Sequence, residues 1–310
     1  TTINETMNKP IKPYGTTERG RFILTRNIIE NRSFALTRDQ ADASAPDAGL
    51  HKGRWFLLYP PGVSILSVPF YKLGDGYNLA HVGAFSMSTF FSILNLILIF
   101  LISKQILKLP YWSSMLASLV FGMASASISY VSSMYQHQPA VFFILFSFYA
   151  VYQYKIHKTL GFFWGFFVWL NYGLAILVDY PNAILMLPIM IYFLLVSVNI
   201  KKIETKYKIS LRFAIILTSI FFVLITILHG YYNFVNFGGA TKLSGSLQGY
   251  REGIQENQNK SEIESKPKQP KKNPVGFIRE FNLAHSSYEL LIAPDKGIFI
   301  FSPIFVVGIL

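Results

Sequence analysis

Along this chain, apolar positions gather into long blocks instead of recurring at the period of a helix face or a strand face. Six blocks are long enough to span a bilayer, at 79–102, 111–131, 139–154, 160–178, 181–199 and 211–231, and 298–310 opens a seventh. At 1.5 Å per residue the first is about 36 Å long, against a hydrocarbon core of roughly 30 Å. The third is short, and needs its flanking Gln and Tyr residues in the interface. The pattern predicts an all-α polytopic membrane protein with a six-helix transmembrane bundle over 79–231. Polar segments, 1–78 and 232–297, flank that bundle, and 298–310 begins a further membrane helix.

The two polar segments differ. In 1–78, Thr17 is placed to cap a helix over 18–30, and Pro61 to open another reaching Leu73, so short juxtamembrane helices are expected there. Residues 251–274 (REGIQENQNKSEIESKPKQPKKNP) are polar, charged and Pro-containing, which suggests a mobile loop without a core.

The links between blocks orient the bundle. Lys104 and Lys108, then Lys155 and Lys158, then Lys201, Lys202, Lys206, Lys208 and Arg212 fall in alternate links, while 132–138 and 179–180 carry no Lys or Arg. The basic links are therefore expected on the cytoplasmic side and both polar segments outside. Composition agrees: 52% of residues are apolar and only 14% charged. The net charge of +12 resides mainly in those links, so it calls for no nucleic-acid partner. With no cysteine, disulfides, thiolate metal sites and cysteine nucleophiles are excluded. The chain begins without Met and ends inside an apolar block, and reads as a fragment whose first span precedes Thr1.

Polar chemistry gathers along one edge. Asp179 falls between the fourth and fifth blocks, and His81, His137 and His229 at block ends on the same side, while block centres hold no ionisable residue. Two readings of Asp179 stand together: an N-cap for a helix over 180–199, with Pro181 in its first turn, and a carboxylate kept at a membrane edge for binding or catalysis.

Several stretches taken in order carry a resemblance. ERGRFILTRNIIENRSFAL (18–36), GRWFLLYPPGVSILSVPFYKLG (53–74), YQHQPAVFF (135–143), VDYPNAIL (178–185), YYNFVNFGG (231–239) and DKGIFIFSPIF (295–305) resemble the polytopic GT-C type glycosyltransferases. Protein O-mannosyltransferases and the lipid A aminoarabinose transferase are of that type. The resemblance implies a GT-C-like helix bundle in the cytoplasmic (plasma) membrane, its active site facing outside. Its substrate is a sugar, mannose-like or similar, on a polyprenyl-phosphate carrier, passed to an acceptor hydroxyl on a lipid, glycan or protein. In such enzymes an acid three residues before an Arg starts a short helix in the first exterior loop, a pattern that falls on Glu18 and Arg21. Their PP motif often follows a Lys that meets the carrier phosphate; here Tyr59 stands in its place, which leaves Arg21, Arg54 and Lys242 as substitutes. The acid before Tyr-Pro is Asp179, followed by Tyr180, and the His at a span start is His137.

The chemistry fits without the family. Outside the membrane there is no nucleotide-sugar pool, so an activated donor must be carried by the bilayer. Phosphate leaves without a general acid, which leaves one carboxylate to accept the hydroxyl proton and cations to hold the phosphate. Glu18 suits the first role, with Glu5, Asp39, Asp42 and Asp47 as fallbacks, although a first-turn acid is also favoured by the helix dipole alone. No ligand spacing demands a metal or other cofactor, though some relatives of that family use a divalent ion with carboxylates. Two rival readings are a transporter or channel, which would place charges at the bilayer midplane, and a non-catalytic membrane scaffold.

Overall fold

The computed structural model describes residues 15–203, 206–211, 213–246, 248–249, 283–294 and 297–301. Glu5, the charged stretch 251–274 and most of the last apolar block lie outside the described residues. The described chain is mostly helical.

Four helices are long and apolar enough to cross a membrane. They are α4 (Ala80–Leu101, continued by a π turn through Ile106), α6 (His137–Ile156), α7 (Gly161–Val178) and α10 (Phe213–Phe237). On α10, Ile216, Ile220, Leu224 and Ile227 are each more than half exposed, a face suited to lipid rather than to water.

The other two blocks form shorter helices. Block 111–131 is helical as α5 (Tyr111–Met123), about 20 Å long, and then tightens into a 3-10 turn, Ala126–Tyr130, whose first N–H groups include one bonded to the Ser125 hydroxyl. Block 181–199 divides into α8 (Asn182–Leu185) and α9 (Leu187–Ser197). Pro188 stands in the first turn of α9, where a missing N–H costs nothing, whereas a continuous helix would need that N–H. The Lys-rich link beyond it pairs as a hairpin, β3 (Val198–Ile203) with β4 (Lys206–Leu211).

Ahead of the bundle lie α1 (Thr16–Glu30), α2 (Arg38–Ala43), β1 (Ala48–His51), β2 (Arg54–Leu57) and α3 (Gly62–Asp75). The expected helices at 18–30 and from Pro61 are therefore present, but the first starts at Thr16 with Gly15 as its N-cap, so Thr17 lies within the first turn and does not cap it. β1 and β2 pair antiparallel, and β5 (Gln248–Gly249) adds to the free edge of β1. Short helices α11 (Leu283–Leu291) and α12 (Ile298–Phe301) follow.

Two apolar cores hold the bundle. The first joins α1, α3, α4, α6 and α7 through Phe22, Val63, Met87, Phe143 and Val178, and the second joins α6, α7, α9 and α10 through Tyr154, Val168, Phe193 and Ile215. Small residues allow the closest crossing: a Cβ on Gly83 would stand 2.3 Å from the Phe70 carbonyl, and one on Gly74 2.5 Å from the Leu79 carbonyl, so α3 folds back against α4 backbone to backbone. The helix α1 is tied to α3 by hydroxyls. Thr25 donates to the Arg21 and Ser64 carbonyls, and Ser64 donates to the Arg21 carbonyl.

Candidate functional site

The N-terminus of α1, the end of the β1–β2 hairpin, the segment before α6 and the end of α7 meet at one end of the bundle. Glu18 stands in the first turn of α1. Its Oε2 accepts the Gly15 N–H (3.2 Å) and its Oε1 the Met134 N–H (3.2 Å), so it both caps its own helix and holds the segment before α6.

Arg21, one turn on, is the buried centre of the group, 2% exposed. Nη1 donates to the Met134 carbonyl (3.0 Å) and Nη2 to Gln136 Oε1 (2.6 Å), while the rings of Tyr59 and Tyr135 lie over the guanidinium at 5.0 and 5.8 Å. Its Nε is buried with no partner among the described residues. Loss of water lowers the Arg21 pKa to about 10, against the pull of Tyr59 and Asp179. It stays charged at neutral pH.

Asp179 follows the last residue of α7 in an extended conformation. Its carboxylate does not cap the next helix, which starts after Pro181 without a side-chain cap, but accepts a hydrogen bond from Gln136 across the site. Burial raises its pKa above the ordinary carboxylate value, and Arg21, Gln136 and His137 oppose that rise. Gln136 thus links Arg21 and Asp179. It is the pivot that no motif in the sequence singled out, although it adjoins His137.

The PPG run explains how the hairpin reaches α7. A Cβ on Gly62 would lie 2.3 Å from the Leu177 carbonyl and 2.7 Å from the Val178 nitrogen, so only glycine lets α3 begin against the end of α7. That contact sets Tyr59 beside Asp179's segment. Thr17 donates to Asp47 Oδ2 (3.3 Å), and the Tyr59 hydroxyl donates to the Thr17 hydroxyl (3.0 Å). Burial, reinforced by the nearby Asp47 carboxylate, pushes the Tyr59 pKa up to about 12, which keeps it a neutral donor.

Glu18, Arg21, Tyr59 and Asp179 are therefore brought together, with His137 at the rim, where its ring lies 5.8 Å from Tyr135. Tyr180 turns to the other side and stacks on His229, ring centroids 5.6 Å apart. Arg54 is exposed in the hairpin opposite His51, and Lys242 is exposed in the turn after α10; neither side chain makes a hydrogen bond, ion pair or ring contact among the described residues. No three His, Cys, Asp or Glu side chains gather to hold a metal among the described residues.

Beside the polar group an apolar groove of about 560 Å³ opens between α7 and α10. Pro61, Leu177, Leu228 and Tyr232 line it, and Arg32 and His229 are its charged or titratable members. Pro61 and Leu177 of its wall stand two residues along the chain from Tyr59 and Asp179, whereas Glu18, Arg21, Tyr59 and Asp179 themselves do not line it. No family model, curated protein or solved structure matches the chain.

Proposed function

We propose that the chain is a GT-C type membrane glycosyltransferase that moves a sugar from a polyprenyl-phosphate carrier to an acceptor hydroxyl on the exterior face of the cytoplasmic membrane. The observation that carries this reading is the meeting of Glu18, Arg21, Tyr59 and Asp179 at one end of an apolar bundle, next to a groove of ligand size. These residues come from three separate stretches of the sequence, 18–36, 53–74 and 178–185, all of them among those that carry the resemblance. An anionic head on an apolar chain suits a charged site adjoining an apolar groove. A soluble substrate would need only the former.

In this mechanism the acceptor oxygen attacks the anomeric carbon while its proton passes to the Glu18 carboxylate. The bond from that carbon to the phosphate oxygen breaks, and the carrier phosphate leaves with the electron pair. Arg21 supplies a fixed positive charge where negative charge grows, and its unpartnered Nε–H is a donor free to meet a phosphate oxygen. Because each Nη already makes one bond to the segment before α6, Arg21 also positions: it holds the loop that presents Gln136, and through it Asp179.

The test is Glu18→Gln. It keeps size and one acceptor oxygen but cannot take a proton, so transfer from a radiolabelled polyprenyl-phosphate sugar should fall by about 10²- to 10⁴-fold with donor binding little changed. Retained activity in this variant, with loss in Asp47→Asn, would move the base to Asp47. No transfer by the wild type with any such donor would sink the reading.

A further inference from the structure

Between the 3-10 turn and α6 three rings are contiguous. Tyr130 and His137 have centroids 4.3 Å apart, Tyr135 and His137 5.8 Å apart with planes 24° from parallel, and Tyr130 and Tyr135 5.8 Å apart edge to face. His137 is exposed and both tyrosines are half-buried. The row continues inward through the Arg21 guanidinium, over Tyr135, to Tyr59. Gly15 brings it close to the proposed base. A Cβ there would lie 3.2 Å from the Tyr135 hydroxyl and 3.5 Å from Glu18 Oε2, so those two oxygens are within about 7 Å of one another.

Aromatic residues at a membrane edge ordinarily serve as scattered interface anchors. This group differs in two ways: its rings pile on one another, and carboxylates and an amide stand at its rim, namely Glu18, Asp179 and Gln136. An acyl chain gains nothing from carboxylates. A pyranose uses both parts, because its C–H face is apolar and fits an aromatic surface while its equatorial hydroxyls point outward to acceptors.

We propose that Tyr130, Tyr135 and His137 form the shelf on which a pyranose ring stacks beside Glu18. The inference rests on the glycosyl-transfer reading for its setting, and the ring belongs either to the donor's sugar or to a glycan acceptor. Binding by stacking depends on ring faces, not on the tyrosine hydroxyl.

The experiment is saturation-transfer NMR of methyl α-mannopyranoside and methyl β-glucopyranoside with the full chain in lipid nanodiscs. Saturation should reach the sugar C–H protons. Tyr130→Leu and His137→Leu should weaken binding by roughly five- to tenfold, while Tyr130→Phe should keep it. Absence of saturation in the wild type, or equal signals in the wild type and both Leu variants, would overturn the shelf. If a Leu variant fails to fold, the wild-type signal and its retention in Tyr130→Phe still decide between stacking and hydroxyl contact; loss in Tyr130→Phe would count against stacking. Transfer kinetics then locate the ring. A raised KM for donor in Tyr130→Leu assigns the shelf to the donor sugar, a raised KM for acceptor assigns it to the acceptor, and no change in either overturns it. Glu18→Gln should leave the NMR signal intact while transfer falls, which separates failure of the shelf from failure of the transferase reading.

Discussion

The two ends of the bundle both carry charge, and they handle it in opposite ways. At one end Arg21 is buried, hydrogen-bonded to two partners, covered by two rings and set near Asp179. At the other, Lys104 lies exposed over the Tyr111 ring at 5.0 Å, and exposed Lys155 donates to the Tyr192 hydroxyl at 3.4 Å. An exposed ammonium keeps its water, so it needs no such partners. A buried guanidinium has lost its water and needs every bond it makes. Charge that only orients a helix in a membrane stays cheap and replaceable, whereas charge that is buried and interlocked marks a place where the fold has been built around chemistry.

The largest expected contrast is all-or-none. The chain has no cysteine, so single cysteines can report side directly. Ser132→Cys, exposed at the Arg21 end, should react with an impermeant maleimide in intact cells, and Lys104→Cys only after permeabilisation. The reverse pattern would invert the membrane orientation and remove the exterior site.

Next comes stability. Arg21→Ala leaves the Met134 carbonyl and Gln136 without their donor and should cost about 3 kcal/mol, read as a lower Tm in a single detergent. Lys155→Ala should cost about 0.5 kcal/mol at most. Similar losses in both would mean that the two ends do not differ as their burial says. Between these lies Gly62→Ala: the new methyl meets the α7 backbone, so about 2 kcal/mol should be lost, with Asp179 displaced from Gln136.

Much of this was legible in the sequence, and for stated reasons. Blocks of apolar residues disclosed the long helices α4, α6, α7 and α10, because length and hydropathy alone decide whether a helix can span. The shorter pair was not legible from hydropathy. Pro188 divides one block and the Ser-rich run after Met123 tightens the other, and both effects are local backbone chemistry that an apolar count does not see. The hairpin β3–β4 was likewise hidden in a link read only for its lysines. Of the site, Glu18, Arg21 and Asp179 were visible as acids and a base near a membrane edge. Their joining through Gln136, and the covering of Arg21 by Tyr59 and Tyr135, depend on segments far apart in the chain, Arg21 and Gln136 by 115 residues, for which no local pattern exists.

A small effect should come from Asp179→Asn, and its sign is informative. Burial holds the Asp179 pKa above that of the unfolded chain despite the nearby Arg21, Gln136 and His137. The folded state therefore binds the proton more tightly than the unfolded state does. Ionised Asp179 then costs stability at pH values above its folded pKa, and that cost is relieved as pH falls through it. Asn is never ionised, so at pH 8 the variant should be more stable than the wild type by less than about 1 kcal/mol. The two melting curves should converge as the pH is lowered through the folded-state pKa. A carboxylate whose main role is pairing with Arg21 would behave oppositely, with the variant less stable at pH 8 and the gap closing from the other side. Transfer should show the complementary pattern. If the ionised carboxylate serves the reaction, wild-type activity declines as pH falls through the raised pKa, while the variant is slow throughout and lacks that limb. A variant that is more stable and slower would identify Asp179 as a group held at a structural cost for its chemistry.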